Sequence, residues 1–254
     1  MLKILPLPAL KDNYIWIIHN QQFAVVVDPG DAALVLEYLA THQLKLAAIL
    51  CTHHHNDHVA GVSDLVAQRA VPVYFPQCEK VLGGTHAASE GVMIDVPELE
   101  IKFSVLDIPG HTAGHVAYVG AGGVFCGDTL FGCGCGRLFE GTATQLLHSL
   151  KKLAALPDDT QVYCGHEYTE ANIRFALACE PENAQLIQRQ KTVQSLRAAG
   201  QPTLPSNIAL EKSTNPFLRC TVPAIVQAVQ QQSAIKQNDE ISIFTAMRAW
   251  KNIF

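Results

Sequence analysis

Charge is scarce in this 254-residue chain and is nowhere concentrated. Asp, Glu, Lys and Arg together make up 16% of the residues, and no block of Lys or Arg occurs. A protein that holds nucleic acid through its phosphates needs such a block, so that class of partner is excluded. The formal net charge of −5 still leaves room for small anionic substrates, because one local pair of cations suffices for them. An apolar run of transmembrane length is also missing,. The opening octet, Met1 to Pro8, is too short and too interrupted by proline to be the apolar segment of a signal peptide,. Cysteine is present eight times, but never with C-x-x-C spacing. Several cysteines sit in apolar, strand-like runs, so buried reduced thiols are expected rather than a disulfide framework. Cys133 and Cys135 lie one residue apart, poor spacing for a closed zinc–thiolate site,. The expectation is a soluble, cytoplasmic, monomeric protein with no nucleic-acid or membrane partner.

What is there is apolar: 48% of the chain is hydrophobic, enough for a sizeable core,. Asn13 to His19 and Phe23 to Val27 read as strands joined by a turn at Asn20-Gln21-Gln22,. Asp31 is placed to cap a helix ending near His42. Leu46 to Cys51 reads as a buried strand, Val59 to Arg69 as a helix, and Val73 to Phe75 as a short strand. Ile101, Phe103 and Val105 alternate with Lys102 and Ser104, the period-2 pattern of a half-buried strand,. Val116 to Val119, Val124 to Cys126 and Gln161 to Cys164 complete the strands, with a helix over Thr144 to Ala155. Beyond His166 only helices are expected: Glu170 to Ala178, Asn183 to Ala199, Pro223 to Gln232 and Ile241 to Trp250. The change in character divides the chain into a mixed α/β domain, 1–166, and a helical domain, 167–254.

The densest chemistry lies in Thr52-His53-His54-His55-Asn56-Asp57-His58, directly after the strand Leu46 to Leu50. Imidazole and carboxylate together suit zinc, iron or manganese. Ligands so close in sequence cannot all face one ion from a regular helix or strand, whereas a loop can splay them toward two neighbouring ions. Three further loops leave strand ends carrying a ligand beside glycine: Gly110-His111, Gly127-Asp128 and Gly165-His166. Glycine lets the backbone approach a crowded centre. His54 is expected at the surface or supporting a ligand, and His115 in a structural role within its own loop. His19, His42, His86 and His148 have no motif around them. Asp28 ends a strand of three valines; it either orients a ligand histidine or caps the turn at Pro29-Gly30,.

In order and kind, His53-x-His55-x-Asp57-His58, His111, Asp128 and His166 resemble the ligand series of the metallo-β-lactamase superfamily. Within it the chain is most similar to the glyoxalase II family, the hydroxyacylglutathione hydrolases. Further matching strings are Gly132 to Thr142, Cys164-Gly165-His166-Glu167-Tyr168-Thr169, Asn215-Pro216-Phe217-Leu218-Arg219 and the ending Arg248-x-x-Lys251-x-x-Phe254. The resemblance spans essentially the whole chain. It implies an α/β fold, the αββα metallo-β-lactamase-like sandwich with a C-terminal helical domain.

The resemblance also implies a binuclear centre with two divalent metal ions, zinc before iron or manganese. His53, His55 and His111 would hold one ion, Asp57, His58 and His166 the other, and Asp128 would bridge. A metal-bridging hydroxide, aimed by Asp57, would attack the thioester of S-D-lactoylglutathione to give D-lactate and glutathione, the last step of methylglyoxal detoxification. Arg137, Phe139, Tyr168, Arg248 and Lys251 would surround the glutathione moiety. Phe139 stands where some relatives carry tyrosine, so one hydroxyl contact is lost. Arg248 and Lys251, three residues apart, share one helix face and can hold a carboxylate together. The alternative of the same fold is a glutathione persulfide dioxygenase with a single iron, which would leave the second ligand set unused.

Overall fold

The structure is a computed structural model and describes residues 2–254. From the N-terminus, β1 (Lys3–Ala9), β2 (Asn13–His19) and β3 (Phe23–Val27) form an antiparallel meander. The helix α1 (Ala32–Thr41) leads to β4 (Lys45–Leu50), which runs parallel to β3. Two short helices, α2 (Asn56–Val59) and α3 (Val62–Gln68), precede β5 (Val73–Pro76) and β6 (His86–Ala88), again parallel. Then come β7 (Met93–Val96), β8 (Ile101–Asp107), β9 (Val116–Gly120) and β10 (Gly123–Gly127), all antiparallel. The remainder holds the small hairpin β11 (Leu130–Phe131) and β12 (Gly134–Cys135), α4 (Ala143–Ala154), β13 (Gln161–Cys164), α5 (Thr169–Cys179), α6 (Ala184–Ala198), β14 (Ser206–Asn207), α7 (Ile208–Thr214), α8 (Pro223–Ser233) and α9 (Glu240–Ile253).

The chain divides into two compact units. The first takes residues up to Asp107, Thr112–Gly127 and Tyr163–His166; the second takes Ile108–His111, Asp128–Val162 and Glu167–Phe254. One crossing point falls between His166 and Glu167, and the second unit also gathers the segments 108–111 and 128–162.

In the first unit, one sheet has the order β1-β2-β3-β4-β5-β6. In the second sheet β7, β8, β9, β10 and the end of β13 lie side by side. Every residue of β2 is buried, so both faces of its sheet are covered,. On one face Ile15, Ile17, Val26 and Ile49 pack with Val35 and Leu39 of α1 and with Val62 and Leu65 of α3. On the other, Trp16 meets Tyr163 edge-on with centroids 4.7 Å apart, and its Nε1 donates to Cys164 O at 3.0 Å. Tyr118 donates to Cys51 O at 2.7 Å, a second tie between the sheets. The strand ends are thereby fixed, and the loops that leave them are held at one edge.

Several expectations are met locally. Asp31 caps α1, accepting from Ala33 N and Leu34 N. Other details differ. The strand β1 was not expected, because Pro6 and Pro8 break its pattern; it lies at the sheet edge, where proline is tolerated,. The helix expected over Val59 to Arg69 is two helices that begin three residues earlier, so Asp57 and His58 share one helical turn. Gly61, at the break, donates its N–H to Pro29 O.

In the second unit α4 opens with a reciprocal cap between Thr142 and Gln145,. Rings of Phe175, Phe217, Phe244, Trp250 and Phe254 form a connected aromatic core. Glu211 of α7 is fully buried and binds Arg189 Nη2 at 2.6 Å, Cys133 N at 2.9 Å and Asn215 Nδ2 at 3.0 Å. Among the described residues no disulfide forms, and seven of the eight cysteines are buried. Burial raises the thiols of Cys51, Cys135 and Cys220, and lifts Cys133 and Cys179 to about 12. Glu211→Ala strands the Arg189 guanidinium in the interior, and should cost about 3–5 kcal/mol in a urea-unfolding experiment.

Candidate metal centre

Asp28 directly follows β3, and Thr52 follows the parallel strand β4. The carboxyl ends of neighbouring parallel strands are where sheets of this kind place ligands. Asp28 is buried and links the two loops. Its Oδ1 accepts from Thr52 N at 2.7 Å, and its Oδ2 from Thr52 Oγ1 at 2.7 Å. The same Oδ2 lies 3.1 Å from His58 Nδ1. Of the two roles open to Asp28, orienting a histidine is the one the structure displays.

These contacts settle ring protonation. A carboxylate only accepts, so His58 carries its proton on Nδ1 and presents a bare Nε2. Thr52 spends its hydroxyl proton on Asp28, so its oxygen accepts from His53 Nδ1, 3.0 Å away. His53 therefore also presents Nε2, which lies 3.1 Å from His55 Nδ1. His115 stacks on His53 at 4.5 Å between centroids and binds the carbonyl of Val116, a structural role as expected. His166 Nδ1 lies 2.8 Å from Asp12 Oδ1, so its Nε2 is bare as well.

Two of these bare nitrogens face each other. His58 Nε2 and His166 Nε2 are 3.3 Å apart, and Asp57 Oδ2 is 3.5 Å from each. Ligand atoms bound tetrahedrally at about 2.0–2.1 Å from one zinc ion lie about 3.4 Å apart. Three donors with converging lone pairs at that spacing fit a divalent cation. Asp57 is held well below the usual carboxylate range by the adjacent His58 ring, against the opposing effect of burial and with help from Asn13 and His166. Asn13 Nδ2 donates to Asp57 Oδ2 at 2.9 Å.

Around this set Glu79 ties two loops. Its Oε1 accepts from Thr112 Oγ1 and Gly114 N, and its Oε2 lies 3.0 Å from His54 Nδ1. His54 is partly exposed and meets Glu79 through this contact. Asp12, Asn13, Thr52 and Glu79 were not singled out from sequence. Asp12-Asn13 resembles an ordinary polar turn; its one signal is a charged pair, Lys11-Asp12, leading into a largely apolar strand.

In the second unit His111 Nδ1 donates to Arg137 O at 2.9 Å and leaves Nε2 bare, 3.5 Å from Asp128 Oδ2. Both side chains are buried. Arg137 is exposed, and Phe139, 63% exposed, lies edge-on to His111 at 5.2 Å. Tyr168 precedes α5 and meets Phe131 edge-on. On α9 the buried Arg248 donates from Nη1 to Cys135 O at 2.9 Å, and its guanidinium carbon lies 5.0 Å from the centre of the Phe217 ring. Its Nε has no hydrogen-bond partner among the described residues. Lys251 Nζ lies 5.0 Å from the Phe175 ring centre and 5.7 Å from that of Phe254, so its head is held between aromatic faces. Burial, then Arg248 and Arg174, lower its pKa to about 8.

Residues 10–166 match the family model described as the metallo-beta-lactamase superfamily, and the chain belongs to that superfamily. Residues 167–254 match the model of the hydroxyacylglutathione hydrolase C-terminus. The chain is 56% identical over its full length to the whole of the hydroxyacylglutathione hydrolase of Nitrosomonas eutropha, and 54% identical over its full length to 97% of that of Nitrosomonas europaea. It is thereby a member of the hydroxyacylglutathione hydrolase family. Among solved structures, ETHE1 from Myxococcus xanthus superposes with a TM-score of 0.66 at 25% identity, over 98% of this chain and 99% of that one. The superfamily match and this superposition show the metallo-β-lactamase fold expected from sequence. No helix among the described residues is long and apolar enough to cross a membrane.

Gly127 immediately precedes Asp128 at φ +47, and a Cβ there would lie 2.2 Å from Thr52 Oγ1 and 2.9 Å from the His115 ring. Both groups hold His53. Gly127→Ala should therefore lower metal content sharply after dialysis, measured by elemental analysis. Gly122→Ala, also at positive φ but facing open space, should leave metal content unchanged and cost about 1 kcal/mol,.

Proposed function

We propose that this protein hydrolyses S-D-lactoylglutathione to D-lactate and glutathione, a thioester hydrolysis in methylglyoxal detoxification. The observation that carries the reading is the triangle of Asp57, His58 and His166 donors, in a chain 56% identical to a hydroxyacylglutathione hydrolase. His53, His55 and His111 would hold one divalent ion, Asp57, His58 and His166 a second, with Asp128 shared. Zinc suits the imidazole-rich donors best, and iron or manganese are also compatible. When bound, such ions supply a hydroxide-strength nucleophile near neutral pH and positive charge for the developing oxyanion.

The chain's own groups complete the chemistry. Asp28 and Asp12 each hold a histidine proton on Nδ1, so both rings turn a lone pair inward. Asp57, kept ionised, accepts a hydrogen bond from the attacking water and aims it at the thioester carbonyl. The leaving thiol has a reference pKa of about 8.5 and departs as thiolate without a strong general acid. Lys251 and Arg248 receive a carboxylate of the glutathione moiety, for which the buried, unpaired Nε of Arg248 is a ready donor,. Arg137, Tyr168 and Phe139 line the same substrate, Phe139 through its ring alone. The first 166 residues then form the catalytic domain and 167–254 the substrate-binding domain of a cytoplasmic monomer acting on a small molecule. The alternative single-iron persulfide dioxygenase makes no use of the Asp57–His58–His166 triangle, which supports the hydrolase.

Purified protein should cleave lactoylglutathione, lose activity to a chelator and contain two ions per chain. One iron per chain with oxygen consumption would decide for the dioxygenase. Asp57→Ala should lower kcat by about 10²–10⁴-fold with little change in KM. Lys251 is protonated below about pH 8 and loses its charge above it. The profile of kcat/KM should accordingly fall above about pH 8 as carboxylate binding weakens, and Lys251→Met should lower the plateau and remove that limb.

A further inference from the structure

We propose that the turn joining β1 and β2 is a positioning device for one ion of the centre, with Asp12 fixing His166 and Asn13 fixing Asp57. The proposal rests on the reading that Asp57, His58 and His166 hold that ion. Adjacent residues of one turn reach two of its three donors. Asp12 Oδ1 is 2.8 Å from His166 Nδ1, on the ring edge opposite the donor nitrogen. Asn13 Nδ2 donates to Asp57 Oδ2 at 2.9 Å and approaches the Asp57 carbonyl at 3.4 Å. The backbone reinforces the pairing. Asn13 forms an isolated bridge with His166, and Tyr14 N donates to Gly165 O at 2.8 Å. Two residues further on, Trp16 Nε1 holds Cys164 O. The start of β2 is thus stitched to the segment that delivers His166.

His53 takes its orientation elsewhere, from Thr52 and the stacked His115 ring. The turn therefore reaches Asp57 and His166, while His53 is held from another side. Its remaining residues face solvent: Leu10 is 60% exposed with φ +51, and Lys11 is exposed. Asn13 is buried and the Asp12 side chain is 28% exposed, so these two alone turn inward. A carboxylate that fixes a ligating imidazole's tautomer and orientation typically contributes 10–100-fold to metal affinity. Binding is reciprocal: if the turn favours the ion, the ion must order the turn by the same free energy.

The test uses the full chain titrated with Zn²⁺ against a chromophoric chelator, with hydrogen exchange on the same samples. Wild-type protein should bind two ions, and the amides of residues 9–14 should gain protection with the weaker one. Asp12→Ala should weaken one ion 10–100-fold, leave the other unchanged and abolish the gain in protection. Asn13→Ala should weaken the same ion by less, and Asp12→Asn, which keeps an acceptor oxygen, should recover part of the loss. Should Asp12→Ala fail to fold, the graded losses in Asp12→Asn and Asn13→Ala carry the test. In a His166→Ala background, Asp12→Ala should have no further effect on metal binding. Unchanged affinity for both ions, or equal loss of both, would overturn the proposal and leave these residues a purely structural role. Wild-type protein that took up no metal would overturn the reading of the centre itself, and this proposal with it.

Discussion

A single buried carboxylate sets the geometry on which the rest of the centre depends. Asp28 sits where β3 ends, beside the loop that leaves β4, and receives three donors: the Thr52 amide, the Thr52 hydroxyl and the His58 ring. An unpaired carboxylate at such a depth is costly to bury, so all three contacts are demanded together. Through Thr52 the same group dictates the protonation of His53. Two histidines of the candidate centre thus receive their tautomers from one buried residue. The sandwich beneath supplies the rigidity this needs, with β2 covered on both faces and Trp16 and Tyr118 tying the sheets near the strand ends.

Much of the fold was legible because its strongest signals are local. The valine run before Asp28, the alternation from Ile101 to Val105 and the cap at Asp31 each specify an element from adjacent residues alone. The candidate centre was legible for a different reason: four histidines in six residues have few uses outside metal chemistry. What escaped sequence reasoning depends on distant pairing. Asp12 meets His166 across 154 positions and Glu79 meets Thr112 across 33. Neither residue is unusual for its local context. β1 escaped because its two prolines argue against a strand, until its place at the sheet edge removes the objection. Helix α2 escaped because Asn56, Asp57 and His58 have no apolar period; tertiary contacts, not propensity, hold that turn.

Arg248 and Lys251 illustrate how burial changes the meaning of a basic helix end. Considered apart from the rest of the chain, such a pair reads as a solvated terminus that favours the helix dipole. In the structure the guanidinium is buried over Phe217, and the ammonium lies between two phenylalanine rings. Partial desolvation of this kind makes each cation a stronger partner for an incoming anion than it would be in water.

The state of the cysteines has a consequence for the proposed thioester hydrolysis, whose product is a thiol. Thiol–disulfide exchange requires an accessible thiolate. Here seven sulfurs are sequestered, and those of Cys51, Cys133, Cys135, Cys179 and Cys220 are pushed toward the protonated form by their surroundings. On that reading the protein releases glutathione turn after turn, even where oxidised glutathione accumulates, with little of its own sulfur available to form mixed disulfides.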